Sequence, residues 1–133
     1  MLHIKYKLKE SSLHGIGLFA DEKIEKGLVV YTASPLLDVN ITRAQFASLE
    51  ENEKKEVGYW GFWNEPNNVW HVDFDVSKFI NHSFQPTVTQ DSNHQDAYLV
   101  ATRDIEPGDE LTQNYLEFET KEDLQKRGIK VDL

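Results

Sequence analysis

The stretch FINHSFQPTV, residues 79–88, sets Asn81, His82 and Ser83 side by side between the apolar Phe79 and Ile80 and the closing Pro86. An amide, an imidazole and a hydroxyl in one place can grip a polar ligand, and each needs a hydrogen-bond partner if it is buried. A second candidate is HGIGLFA, residues 14–20, where Gly15 and Gly17 flank Ile16. Glycines two apart let backbone groups approach a ligand without a Cβ in the way. The run lacks the third glycine and helix of a dinucleotide loop, and the Lys-Ser or Lys-Thr of a phosphate loop. By itself it reads as a tight turn. A third candidate is ELTQNY, residues 110–115, whose Tyr115 ends a strand-like run. Such a tyrosine is usually core with a bonded hydroxyl, and it gains chemical interest only if it converges with the other two. The fourth is HVDFD, residues 71–75. His71, Asp73 and Asp75 alternate and would share one strand face; with His82 they could supply N and O ligands. No other spaced ligand set supports this. The expectation is a solvated strand face at a sheet edge, with no metal. A small metal-dependent hydrolase on this stretch is the rival reading. No serine–histidine–acid order with a nucleophile elbow is present.

The elements that must position these residues come from 133 residues, a length that fits one domain and holds a core without staples. There is no cysteine, which excludes disulfides, thiolate zinc sites and a cysteine nucleophile. The net charge is −9, from 23 acids against 14 bases. That argues against a general nucleic-acid binder and suits a basic protein partner. No apolar run reaches the ~18 residues of a membrane span, and MLHIKYKLKE lacks a signal peptide's apolar region. An intracellular protein, cytoplasmic or nuclear, is expected.

Period-two alternation makes HIKYKLK an edge strand. LFADEKI, the β-branched LVVYTAS, NVWHVDF, AYLVATRDI and ELTQNY also read as strands. VSKFINH is a short helical turn or buried stretch. TRAQFASLEENEKKEVGYW is one helical pattern that Thr42 can cap, with Phe46, Leu49 and Glu53 at helical spacing. TKEDLQKRG closes with a helix at about 120–128, capped by Thr120 and Asp123 and stopped by Gly128. The sum is many short strands with little helix, and no βαβ alternation.

In this order, HGIGLFA, VVYTAS, FINHSFQPT and EPGDELTQNY resemble the SET-domain family of lysine methyltransferases, from about Leu13 to Tyr115. Family members read FxNHSCxPN and end in a pGEELTxDY-like motif. Here Phe84, Thr87 and Asn114 depart from that pattern, and the cysteine-rich zinc segment that follows many members is missing. The resemblance implies a single mainly β domain over 1–133, with several small sheets and a C-terminal segment threaded through a loop as a pseudoknot. It implies a variable insert at about 40–70.

The resemblance further implies an S-adenosylmethionine-dependent enzyme that methylates a lysine of a protein, with basic residues around the target. His14, Gly15, Ile16 and Gly17 would cradle the cofactor, with Asn81 and His82 holding its amino-acid and adenine ends. Tyr115 would be the catalytic tyrosine and also touch the cofactor. Tyr31 would line the lysine channel, and Phe118 would cover the adenine in place of the missing zinc segment. A non-catalytic SET-like module that binds protein or cofactor is the alternative, motivated by Thr87 and Asn114. In the insert, Tyr59, Trp60, Phe62, Trp63 and Trp70 could wall a lysine or form a satellite core, the favoured reading.

Overall fold

The structure is a computed structural model that describes residues 1–131. Among them the strands are β1 (Tyr6–Glu10), β2 (Ile16–Ala20), β3 (Val29–Thr32), β4 (Val39–Thr42), β5 (Phe62–Asn64), β6 (Val69–Val72), β7 (Asn81–His82), β8 (Val88–Gln90), β9 (Tyr98–Ala101) and β10 (Thr112–Gln113). The helices are α1 (Arg43–Ser48), α2 (Glu51–Trp60) and α3 (Lys121–Lys126). The chain is therefore mainly β with several small sheets. It divides into two compact units: Met1–Ala33 with Asp75–Asn114, and Ser34–Phe74 with the segment from Tyr115 onward.

The first unit holds the main apolar cluster, including Leu18, Ile24, Val30, Val88, Ile105 and Leu111, all essentially solvent-free. β1 and β2 form an antiparallel ribbon, and β3, β9 and β8 form a sheet with β9 in the middle. β9 is the expected strand AYLVATRDI cut to four residues of its first half. β7 and β10 pair in parallel, Thr112 with Asn81 and Gln113 with His82. Segment 109–113 also bonds to β2: Ala20 N donates to Asp109 O (2.9 Å) and Leu111 N donates to Leu18 O (2.8 Å). The last motif is thus tied to the glycine-loop strand and to the Asn81–Thr87 stretch together. That is the topology the expected pseudoknot demands, and it is a non-local arrangement in a chain whose neighbours usually pair in sequence.

In the second unit, β4 and β5 flank β6. β4 and β5 are additions to the expected strand set. The single helix expected across 42–60 is two. Thr42 caps α1 with a full capping box to Gln45, as expected. Leu49 is then extended, and Glu50 opens a second capping box with Glu53. Two capping boxes eight residues apart split the pattern, the second restarting the helix after Leu49. At the C-terminal side, Thr120 Oγ1 accepts from Asp123 N, and Gly128 has φ +78°, a left-handed stop that favours glycine. No helix among the described residues is long and apolar enough to cross a membrane.

Candidate functional site

Asn81 is the centre of the site in the first unit. Its residue is 7% exposed, so its amide protons must find acceptors. Asn81 Nδ2 donates to His14 O (3.0 Å), to Ile16 O (3.3 Å) and to Glu110 Oε1 (3.0 Å). One side chain therefore ties the NHS stretch to the glycine loop and to the first residue of ELTQNY. Three of the stretches singled out by residue type converge on it.

The glycine loop is more than a tight turn. Ser11 N donates to Gly15 O (2.8 Å), and Ser11 Oγ accepts from Leu13 N (3.0 Å). Gly15 has φ +45°, and no atom lies within 4 Å of the place a side chain would take. Gly17 is a glycine for a different reason: a Cβ there would stand 2.0 Å from Glu110 Oε1. His14, Gly15 and Ile16 are exposed while Gly17 is buried, so the loop offers its tip and hides its root.

Thr87 keeps the site bonded despite replacing the family's asparagine. Its hydroxyl donates to Glu110 O (3.2 Å) and accepts from Thr112 N (2.8 Å). His82 is half-buried, its ring edge-on to Phe84 with centroids 4.6 Å apart. Burial holds its imidazole below the ordinary range, so the neutral form dominates near neutrality. Tyr31 is 2% exposed and belongs to the main apolar cluster. Gln90 clamps its own loop. Its Nε2 donates to Asp91 O, His94 O and Asp96 O, and its Oε1 accepts from Tyr98 N.

Tyr115 and Phe118 fall in the second unit, Tyr115 in a 3-10 turn over Tyr115–Glu117. Their rings pack with centroids 5.4 Å apart, and Phe118 also meets Phe62 at 4.8 Å. The Arg127 guanidinium sits 5.8 Å from the Tyr115 ring centroid and donates to Glu119. Burial pushes the Glu119 carboxyl up to about 7, against the pull of Arg127 and helped by Asp123. The insert aromatics are packed on one another. Phe46 stacks on Trp70, Trp63 meets Trp70 edge-on, and Arg43 lies over Trp63 at 4.1 Å. Trp60 and Trp63 donate their indole N–H groups to Glu56 and Glu65. Among the described residues, the cation over a ring of this group is Arg43 of the same chain.

The HVDFD expectation needs correction. β6 is the central strand of its sheet, and His71 is buried. Asp75 does not join it: that carboxylate accepts from Ser77 N and Leu2 N in the first unit. The residue that does join His71 and Asp73 is Asp38, which no local spacing pointed to. Glu110 and Thr87 were also missed as site residues. For Glu110 the signal was available, since it opens the same motif that Tyr115 closes.

A small mainly β domain in which one buried asparagine bolts a glycine loop to a C-terminal ELTxxY strand defines a recognisable class, the SET fold. The SET domain model matches residues 15–116, and the chain belongs to that family. Solved structures similar to the chain share the fold. One is a Plasmodium falciparum protein assigned as a histone methyltransferase: 21% identity, 86% of this chain and 95% of that one, TM-score 0.60, a likeness of fold. A second is a humanized mutant of the Chaetomium thermophilum Polycomb Repressive Complex 2 bound to the inhibitor GSK126, at 25% identity, 88% coverage and TM-score 0.65. A third is apo ctPRC2 with two substitutions in Ezh2, at 25% identity, 93% coverage and TM-score 0.68. The match spans only 16% of each of these last two chains. A search of curated proteins gives no match.

Proposed function

We propose that the protein transfers a methyl group from S-adenosylmethionine to the side-chain amine of a lysine in a protein substrate. The observation that carries this reading is the Asn81 amide, which fixes the glycine loop against the ELTQNY motif through His14 O, Ile16 O and Glu110. A loop fixed at its root and exposed from His14 to Ile16 fits a polar cofactor held by backbone groups. The open space at Gly15 Cβ leaves room for it. Bound there, S-adenosylmethionine supplies an activated methyl group.

The chain's own residues have three tasks. His14, Gly15, Ile16 and Gly17 hold the cofactor by backbone, with Asn81 and His82 beside them. Neutral His82 brings no positive charge against the cofactor's sulfonium. Tyr115 orients the incoming amine through its hydroxyl, and Phe118 shields the site with its ring. Tyr31, locked in the core, has only its hydroxyl to offer a lysine channel. The amine attacks as the free base, while its ordinary pKa is ~10.4, so an apolar approach that disfavours the ammonium is required. Alignment of nitrogen with the methyl carbon supplies much of the rate. The net charge of −9 favours a target lysine among basic residues.

The bonded hydroxyl of Thr87 removes one of the motives for a non-catalytic module. The test is a thermal melt with and without S-adenosylmethionine. Ligand at a hundred times its dissociation constant adds ~2.7 kcal/mol to the folded state. Asn81→Ala should lose most of that shift. A melt of the wild-type protein that saturating cofactor leaves unchanged refutes the proposal.

A further inference from the structure

We propose that Asp38, His71 and Asp73 form a binding site for one divalent transition-metal ion of the zinc class, separate from the methyl-transfer residues. The three side chains belong to the second unit, and one ligand atom from each lies within 4.8 Å of the others.

The orientation of His71 carries the argument. Its Nδ1 lies 2.8 Å from Asn40 Oδ1. An amide oxygen only accepts, so Nδ1 carries the proton and the Nε2 lone pair points away from Asn40. That lone pair faces Asp73 Oδ1 at 3.0 Å and Asp38 Oδ2 at 3.6 Å. The side chains are 10%, 20% and 2% exposed for His71, Asp73 and Asp38. A lone pair and two carboxylates converging in so little water suit a cation bound among them.

Two features favour the metal. First, the spacing is right. Bonds of ~2.0–2.2 Å from a zinc-class ion put neighbouring donors about 2.8–3.8 Å apart, over angles from square to trigonal. The observed 3.0 and 3.6 Å fall in that range. Second, the donors are already held by outer partners, as ligands of a metal are. Asn40 fixes the tautomer and the ring, and stands opposite His71 in the β4–β6 register. Asp38 is held through both oxygens, Oδ2 accepting from Ser34 N (2.8 Å) and Oδ1 from Phe74 N (3.0 Å). One imidazole with two carboxylates suits zinc-class ions better than calcium, which takes six to eight oxygens.

The experiment uses the full chain, stripped of metal with a chelator and dialysed. It is titrated with Zn²⁺ by calorimetry and with Co²⁺ by visible absorption, with Ca²⁺ as control. The expected result is one ion per chain, cobalt ligand-field bands, and a melting temperature raised by Zn²⁺. Asn40→Ala should weaken Zn²⁺ by about tenfold or more, as loss of an outer partner does. Asp73→Asn should weaken it further. Asp73 is the most exposed of the three, so that variant decides the matter if His71→Gln fails to fold. Absence of stoichiometric binding to the folded wild-type chain overturns the proposal. Equal affinity in wild type and Asp73→Asn also overturns it, as does Ca²⁺ binding as tightly as Zn²⁺.

Discussion

Gly17→Ala probes the joint between the glycine loop and the final motif with a single methyl group. An alanine Cβ would stand 2.0 Å from Glu110 Oε1, 3.0 Å from Glu110 Cδ and 3.0 Å from Ser11 Cβ. The Glu110 carboxylate is the movable neighbour, but moving it breaks the 3.0 Å bond from Asn81 Nδ2. The protein must accept either the overlap, at ~1–3 kcal/mol, or the loss of a charged hydrogen bond at a buried amide, at ~1.5–3 kcal/mol. The cheaper route sets the loss, at about 1–3 kcal/mol. For a domain of this size that lowers the melting temperature by roughly 3–12 °C. Gly15→Ala is the control. It meets no atom within 4 Å, so it costs only the left-handed backbone penalty, ~1–2 kcal/mol. The assay is chemical denaturation of wild type, both single variants, Glu110→Ala and the double variant Gly17→Ala/Glu110→Ala. Removing the carboxylate should rescue Gly17→Ala, with a coupling of at least about 1 kcal/mol. If Gly17→Ala and Glu110→Ala are additive, the two residues do not meet as described and the joint is wrong.

Two further outcomes concern pH. Glu119 has its carboxyl raised by burial to about 7 from 4.5. The folded state therefore holds this proton more tightly than the unfolded one, and the stability it contributes is full below about 4.5 and is lost as pH rises through 7. Compared with Glu119→Gln, the wild-type protein should lose melting temperature between pH 5 and pH 8, and parallel profiles would contradict this. His82 behaves oppositely: its pKa is lowered from 6.5 by burial, so its contribution is full above 6.5 and is lost as pH falls toward the folded value. Wild type should fall off faster than His82→Gln on acidification below pH 6.5, a difference that melts across an acid series would reveal.

The motifs were legible because each is a local string whose residue types already imply turn, strand end or polar stretch. Thr42 and Gly128 mark their helix ends through local bonds, and both act as read. What was hidden depends on partners distant in sequence. β5 is three residues of aromatic-rich chain that becomes a strand only beside β6. β7 is two residues, too short for periodicity, and exists through its parallel pairing with β10, the part of the strand-like ELTQNY that does form a strand. The helix break at Leu49 was written in Glu50 and Glu53, but a continuous helical pattern outweighed an acidic cap. Alternation placed Asp75 with His71 and Asp73, yet the chain leaves β6 at Val72. Asp75 instead caps the 3-10 turn Val76–Phe79, and Asp38 arrives from upstream of β4. In the candidate site, Asn81 was legible as a polar residue between apolar flanks. Its acceptors, two loop carbonyls and Glu110, were not.

The most direct measurement incubates the wild-type protein and Tyr115→Phe with isotope-labelled S-adenosylmethionine and a panel of basic proteins, and identifies the modified residue by mass spectrometry. Tyr115→Phe removes one hydroxyl and keeps the ring that packs on Phe118. Interactions made mainly in the transition state lower turnover more than binding. The account predicts label on a lysine side chain with the wild-type protein, at least a roughly tenfold slower rate with Tyr115→Phe, and nearly unchanged cofactor affinity in that variant. A wild-type protein that binds cofactor yet labels no lysine in any substrate, or a Tyr115→Phe variant with full activity, would contradict it.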